Sequence, residues 1–296
     1  MSSKAVPNER VSVQLKPLID LASKASLLTI QRGRIKANQS GGYASRFKGR
    51  GMEFDEVRQY QAGDDIRSID WRVTARTNKT HSKVFHEERE RPIFISVDAR
   101  AAMQFATQGV FKSVQAANLA ALIAWAAQLN GDKVGGQVFA QHGCQELKPA
   151  AGRAAVLHFL NALVRPTLVA SEEISLDDVL QRLSQHARPG SLVYIVSDFR
   201  GLNDNVERQL AKLARHCELV LLHVFDPLER SLPAKGRYRF TNGVQDTVVD
   251  MSDKQRVEHY QQYFLAREAR LKKLCKTWRM TLLQCTTMDD PFKVLG

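Results

Sequence analysis

The spacing of hydrophobic residues changes several times along this chain, and each change marks an element. Between residues 15 and 30, Leu15, Leu18, Ile19, Ala22, Ala25 and Leu28 recur near helical spacing, which predicts an amphipathic N-terminal helix docked on the main body, with Pro17 in its first turn. Residues 92–97 form a continuous apolar, β-branched run closed by Asp98, the pattern of a strand buried on both faces of a parallel sheet. Residues 113–129 are Ala-rich and apolar almost all round, so a helix buried against that sheet is expected, stopped by Gly131. A strand over 134–140, a turn at His142-Gly143, a short strand around Glu146-Leu147 and a helix over 152–164 follow. Ser175-Leu176-Asp177-Asp178 has the form of a helix cap ahead of Val179, Leu180 and Leu183.

The buried-strand pattern returns at 192–196, ends at Ser197-Asp198, and leads through a helix over 204–216 to a strand over 218–225 closed by Asp226-Pro227. Tyr238-Arg239-Phe240 and Thr247-Val248-Val249 flank Asn242-Gly243, which predicts a β-hairpin with a tight two-residue turn. A capping pattern from Ser252 to Gln255 opens a long helix running to Trp278, its outer face basic with Arg267, Arg270, Lys272, Lys273 and Lys276. Residues 281–285 are read as a last strand and residues 288–296 as a tail. Strand-helix-strand alternation predicts an α/β fold with right-handed crossovers and a doubly wound, mostly parallel sheet. In such sheets ligands sit at the carboxyl ends of strands, which singles out Asp98 and Asp198.

The residues from Gly49 to Arg76 fit no single period. Gly63 with Asp64 and Asp65 reads as a turn capping a helical turn near Ile66, with Ile69 and Trp71 expected to be buried. Arg58, Arg67, Arg72 and Arg76 alternate with Glu53, Asp55, Glu56, Asp64, Asp65 and Asp70, so an interlocked ion-pair platform is the plain structural reading. Three fragments in this order, Gly51-Met52-Glu53-Phe54, then Arg58-Gln59-Tyr60 through Gly63-Asp64, then Arg67-Ser68-Ile69-Asp70-Trp71 with Ala75-Arg76, resemble the signature of the domain-of-unknown-function 58 family. The likeness continues through Phe85 and Glu87-Glu88-Arg89 to Asp98, and more weakly to Phe199.

That resemblance implies a von Willebrand factor A-like (Rossmann-like) domain over 91–296. Residues 1–90 then hold the N-terminal helix, a basic loop and the signature segment. It further implies a MoxR-type AAA+ ATPase as partner, since family members are often encoded beside one. Such a pair would mature, remodel or assemble client proteins. The partner-binding residues implied are Arg50, Glu53, Phe54, Arg58, Tyr60, Gly63, Asp64, Arg67, Asp70, Trp71 and Arg76. Von Willebrand A-like domains commonly hold a divalent cation through an Asp-x-Ser-x-Ser motif plus a Thr and an Asp. Here the motif reads Asp98-Ala99-Arg100-Ala101-Ala102, with Ala102 in place of the second serine, Ser175 the loose match for the Thr and Asp198 the distal acid. Without the central hydroxyls, Mg²⁺ is not expected. Arg100 is expected to stand in for the ion by pairing with Asp98, Asp198 or both, the alternative being an exposed residue leading into the next helix.

Composition narrows the classes. The net charge of +12 suits an anionic partner, whether nucleic acid, membrane surface or acidic protein face. No run approaches the ~20 apolar residues of a spanning helix, and the N-terminus lacks the apolar core of a signal peptide, so a cytoplasmic protein with reduced cysteines is expected. No phosphate-binding Gly-rich loop or nucleophile elbow is present. A metal-dependent nuclease built on the signature acids is the enzymatic alternative, but caps and arginine pairs account for the same acids. Residues 31–50 carry six Lys/Arg, no acid, and Tyr43 and Phe47, which suits a nucleic-acid-binding arm as well as a solvated linker. The expectation is a non-enzymatic interaction protein without a cofactor.

Overall fold

The computed structural model describes residues 8–28, 52–61, 64, 66–87, 92–165, 173–232, 236–241, 246–250 and 254–296. Two compact units divide the chain, one of residues 1–35 and 91–296, the other of residues 36–90. The N-terminal helices therefore go with the larger unit rather than with the signature segment.

Where one helix was expected over 15–30, there are two short ones, α1 (Leu15–Asp20) and α2 (Ala22–Ala25). Serine explains the break: the Ser23 hydroxyl donates to the Asp20 carbonyl at 3.0 Å and Ser26 to Ser23 at 2.7 Å, side-chain bonds that compete with helix continuation. In the smaller unit, strand β1 (Met52–Gln59) pairs antiparallel with β2 (His81–Glu87), interrupted by a bulge between Phe54 and Glu56. Between them come a 3₁₀ turn (Ile66–Ser68) and helix α3 (Trp71–Thr77), which starts at Asp70 because its carboxylate accepts the backbone N–H groups of Arg72 and Val73.

The larger unit is built on β3 (Pro92–Asp98), helix α4 (Lys112–Leu129), β4 (Lys133–Ala140), β5 (Gly143–Ala150), α5 (Arg153–Val164), α6 (Leu176–His186), β6 (Leu192–Ser197), α7 (Asp204–Ala214), β7 (Glu218–Phe225) and the short α8 (Pro227–Arg230). A hairpin of β8 (Arg237–Thr241) and β9 (Asp246–Asp250), the long α9 (Lys254–Trp278), β10 (Thr281–Thr286) and α10 (Pro291–Leu295) complete it. The sheet runs β10-β7-β6-β3-β4-β5, parallel throughout except for β5. Counted from β3, that is the 3-2-1-4-5-6 order of a doubly wound fold, as expected. Antiparallel β5 takes the edge, where Pro149 needs no ladder donor and Gly135 opposite leaves room for it.

Side chains from both sheet faces fill two cores. Helices α1, α2, α4, α5 and α10 cover one, α6, α7 and α9 the other. The indole N–H of buried Trp125 in α4 donates to the Leu18 carbonyl at 3.0 Å, which ties the N-terminal helices to the body. One further expectation is corrected. The tail is folded: Asp290 caps α10, and Phe292, Val294 and Leu295 pack on the core. The expected hairpin is present, with Thr241 opposite Asp246. Asn242, Gly243, Ser252 and Asp253 lie outside the described residues.

Candidate functional site

Parallel strands that all point one way bring their C-terminal residues to one edge of the sheet. Asp98, Asp198 and Asp226 end or follow β3, β6 and β7, and all three are fully buried. Burying a carboxylate costs several kcal/mol unless cations or donors repay it, and here each one is repaid differently.

Asp98 is held by Arg100, whose Nη2 lies 2.7 Å from Oδ2 and whose Nε lies 3.0 Å from Oδ1, with the Arg100 backbone N–H also on Oδ1 at 3.0 Å. The Ser197 hydroxyl donates to Oδ2 at 2.6 Å. Burial works to lower the Arg100 pKa, but its bonds to Asp98 outweigh that and raise it.

Asp198 is not paired with Arg100. Its partner is Lys112, a fully buried lysine at the first position of α4, whose Nζ sits 2.9 Å from Asp198 Oδ2 and 3.0 and 3.2 Å from the two Glu229 oxygens. Arg200 closes the group from outside, with Nη2 at 2.6 Å from Glu229 Oε1 and Nε at 3.3 Å from Asp198 Oδ2. Burial by itself would raise the Asp198 pKa; the charges of Lys112 and Arg200 reverse this and hold it at about 2.

Asp226 is satisfied without a cation. It accepts the Thr107 N–H at 2.7 Å, the Thr107 hydroxyl at 2.6 Å, the Thr287 hydroxyl at 2.9 Å and the Leu228 N–H at 2.9 Å. Against burial, those bonds lower its pKa. Arg100, Lys112 and Arg200 thus balance Asp98, Asp198 and Glu229 charge for charge.

One of the sequence-derived positions needs correction. Ser175 does not serve as a ligand here: its hydroxyl and Asp178 form the capping box of α6, bonded to each other at 2.6 Å. Arg100 takes the first of its two expected partners, Asp98, and does not lead a helix into solvent. Ala102 sits in a 3₁₀ turn (Ala101–Met103) and offers no oxygen from its side chain. The residues present do not suit a divalent ion, because every acid here already faces a cation or a full set of donors. Among the described residues no three His, Cys, Asp or Glu side chains gather to hold a metal.

Sequence reasoning missed Lys112, Arg200, Glu229 and Asp226. The available signals were a lone cation heading an otherwise apolar helix and the Asp226-Pro227-Leu228-Glu229 capping box, read only as a strand terminator.

The signature residues lie in the smaller unit. Arg58 pairs with Asp64 at 2.7 Å, Asp64 also accepts the Gln61 N–H, and the Tyr60 hydroxyl donates to the Asp64 carbonyl at 3.3 Å. Asp70 caps α3 and lies 3.6 Å from Lys83. The expected burial of Trp71 is overturned: it is 68% exposed, as is Ile66, because Asp70 starts α3 with Trp71 on its outer side. Ile69 is half-buried, and Arg67, Arg72 and Arg76 are exposed. Glu53 and Phe54 belong to β1, with side chains outside the described set, and Arg50, Gly63, Asp65 and the arm 31–50 lie outside the described residues.

The sequence profile described as "Protein of unknown function DUF58" matches residues 56–270. The chain belongs to the DUF58 family. A relative of this DUF58 protein, the uncharacterized protein Rv1480 of Mycobacterium tuberculosis, is 28% identical over 221 residues, 74% of this chain and 69% of that one. Among solved structures, conserved hypothetical protein BatB from Bacteroides thetaiotaomicron aligns with a TM-score of 0.45 at 16% identity, covering 66% of this chain and 90% of that one. A von Willebrand factor type A protein from Catenulispora acidiphila aligns with a TM-score of 0.33 at 11% identity, covering 49% of this chain and 35% of its own. The DUF58 chain has the strand order of a doubly wound α/β fold, parallel but for its edge strand β5. No helix among its described residues is long and apolar enough to cross a membrane.

Proposed function

We propose that this DUF58 chain is a non-enzymatic interaction protein that docks a partner through the signature unit, the partner being a MoxR-type AAA+ ATPase and the outcome the maturation or assembly of client proteins. The observation that carries the docking reading is Trp71. A tryptophan 68% exposed beside an equally exposed Ile66, among exposed Arg67, Arg72 and Arg76, has the composition of an interface anchor. The neighbouring acids Asp64 and Asp70 are occupied by Arg58, Lys83 and backbone donors, and the exposed Arg72 and Arg76 suit an acidic protein face. The family resemblance supports the identity of the ATPase. The non-enzymatic reading is supported by the strand-end acids, each already engaged by cations or hydrogen-bond donors of the chain itself.

The test is capture of the ATPase encoded in the same genome by the full-length chain, in the presence of nuclease. Trp71→Ala and the pair Arg72→Glu with Arg76→Glu are expected to reduce capture at least tenfold. Undiminished capture by both variants would remove the docking surface, and turnover of a substrate by the isolated chain would remove the non-enzymatic reading.

A further inference from the structure

Helices α7 and α9 pack on the same face of the sheet, side by side and pointing the same way. Arg270 of α9 binds Asp204 and Glu207 in the first turn of α7, each at 2.7 Å. At the other end the Arg215 guanidinium carbon, just past α7, lies 5.3 Å from the centre of the Trp278 ring, which ends α9. The sides turned to the core carry Val206, Leu210 and Leu213 in α7 and Leu271, Leu274 and Cys275 in α9. Helical spacing then puts Arg208, Lys212 and Arg215 on the outer side of α7 and Lys273 and Lys276 on that of α9, with Arg279 just beyond its end. All six are exposed.

This outer face has no acid of its own. Neither residues 208–217 nor residues 269–288 contain Asp or Glu. The acids that flank them in the chain are engaged or turned away. Arg270 holds Asp204 and Glu207, while Arg230 and Lys272 hold Glu268 at 3.0 and 2.8 Å. Glu218 lines a cavity with Leu28 and Leu192 on the opposite face of the sheet. Helix dipoles favour Lys212 and Lys276, which stand in the last turns of their helices. They do not call for Arg208 or Lys273, which stand further in.

The composition of the face selects among anionic partners. Protein interfaces are depleted in lysine, so an acidic protein is a poor match. A membrane surface is bound by apolar side chains as well as by cations. The nearest exposed one on α9, Leu265, stands two turns before Lys273, ~12 Å along the axis. Unpaired nucleic-acid strands are held by stacking bases on aromatic rings, and Trp278 is half-buried under Arg215. What remains is a backbone of closely spaced phosphates, to which lysine and arginine without interleaved carboxylates are suited. We infer that the outer face of α7 and α9 binds the sugar–phosphate backbone of a nucleic-acid duplex, without regard to its sequence. The face belongs to the larger unit and does not depend on the docking role of the signature unit.

The experiment is fluorescence anisotropy of a labelled DNA duplex of about 20 base pairs, titrated with the full chain at roughly 50 to 250 mM salt. Saturable binding is expected, with a log–log salt slope of about −4 to −5, since each neutralised phosphate contributes about −0.9. Lys273→Gln combined with Lys276→Gln is expected to weaken binding at least tenfold at about 100 mM salt and to make the slope shallower by about 2. Its Tm should stay within ~2 °C of the parent, because both side chains are exposed. Lys24→Gln combined with Lys148→Gln removes the same charge from exposed positions on α2 and β5 and should bind within about twofold of the parent. An equal loss by that second pair would assign the binding to net charge and overturn the face. So would unchanged binding by the folded first pair, the absence of saturable binding, or tighter binding of the unpaired strand, of polyglutamate or of phosphatidylserine vesicles than of the duplex.

Discussion

Lys112 is the residue on which the carboxyl edge depends most. Its ammonium contacts both Asp198 and Glu229, as Arg200 does from the exposed side, and it is the wholly buried one of the two cations. Lys112→Met should lower stability in urea by about 3–5 kcal/mol, the cost of leaving buried carboxylates without their counter-charge. Adding Asp198→Asn should restore part of it, since one of the stranded charges is removed. A loss under ~1 kcal/mol for the single variant would mean that the carboxylates find water or protonate at little cost. His223 yields a second prediction, with its sign set by linkage. Burial first, then the charge of Arg267, pushes its pKa down to about 3 from an ordinary 6.5. The unfolded chain therefore binds a proton below pH 6.5 that the folded chain refuses until about pH 3. This contribution is whole above pH 6.5 and shrinks as pH falls through that window, by at most about 1.4 kcal/mol per pH unit. His223→Phe, which keeps a ring among Phe199, Phe225 and Phe264, should flatten the pH dependence of unfolding between pH 6.5 and 4. An unaltered slope would place the titration elsewhere.

At the scale of elements, the loop between β3 and α4 shows how backbone geometry delivers side chains to the edge. Gly109 has φ +75°, and a Cβ there would meet the Thr287 carbonyl oxygen at 2.0 Å. The same loop carries Thr107 to Asp226, and Val110 donates its N–H to Thr287. Gly109→Ala combines left-handed strain with a backbone clash and should cost roughly 2–5 kcal/mol. Gly131→Ala, at φ +80° but with open space around it, should cost only about 1 kcal/mol in the same thermal assay. Equal losses would show that strain alone, not the close approach, sets the cost. The glycines also mark the limit of what the sequence discloses. Strands such as Leu192–Ser197 were legible because their run of apolar residues has one stable use, burial on both faces. So was the capping box of α6, because its partners are three residues apart. Lys112 meets Asp198 across 86 positions and Glu229 across 117, so its place as the one cation at the head of an apolar helix marks it but names neither partner. The exposure of Trp71 was hidden for a related reason: a tryptophan reads as core wherever its surroundings supply no orientation, and Asp70 as a cap decides which side of α3 it faces.

At the scale of the whole molecule, charge is sorted as well as unbalanced. In the larger unit, acids gather at helix N-termini, with Asp177 and Asp178 in the first turn of α6 and Asp204 and Glu207 in that of α7. Exposed bases gather beyond helix C-termini, with Arg188 after α6, Arg215 after α7, and Lys276 and Arg279 at the end of α9. Helix dipoles favour both placements, but dipoles do not require the surplus of +12 carried by the chain. A surplus of that size acts at long range: it accelerates encounter with an acidic partner and is screened over about 8–10 Å at physiological salt. A tryptophan anchor acts only in contact and governs how long a complex lasts. The two features therefore predict separable kinetics for the docking proposed above. Raising salt from about 50 to 300 mM should reduce the association rate at least several-fold and change dissociation little. Trp71→Ala should do the opposite, leaving association within about twofold while accelerating dissociation tenfold or more, and its stability should stay within ~0.5 kcal/mol of the parent because the side chain is exposed. Stopped-flow or surface-based kinetics of the captured ATPase would measure both. If salt acted on dissociation, or Trp71→Ala slowed association alone, the anchor and the charge would have to exchange roles, and the contact surface would lie on a different part of the chain.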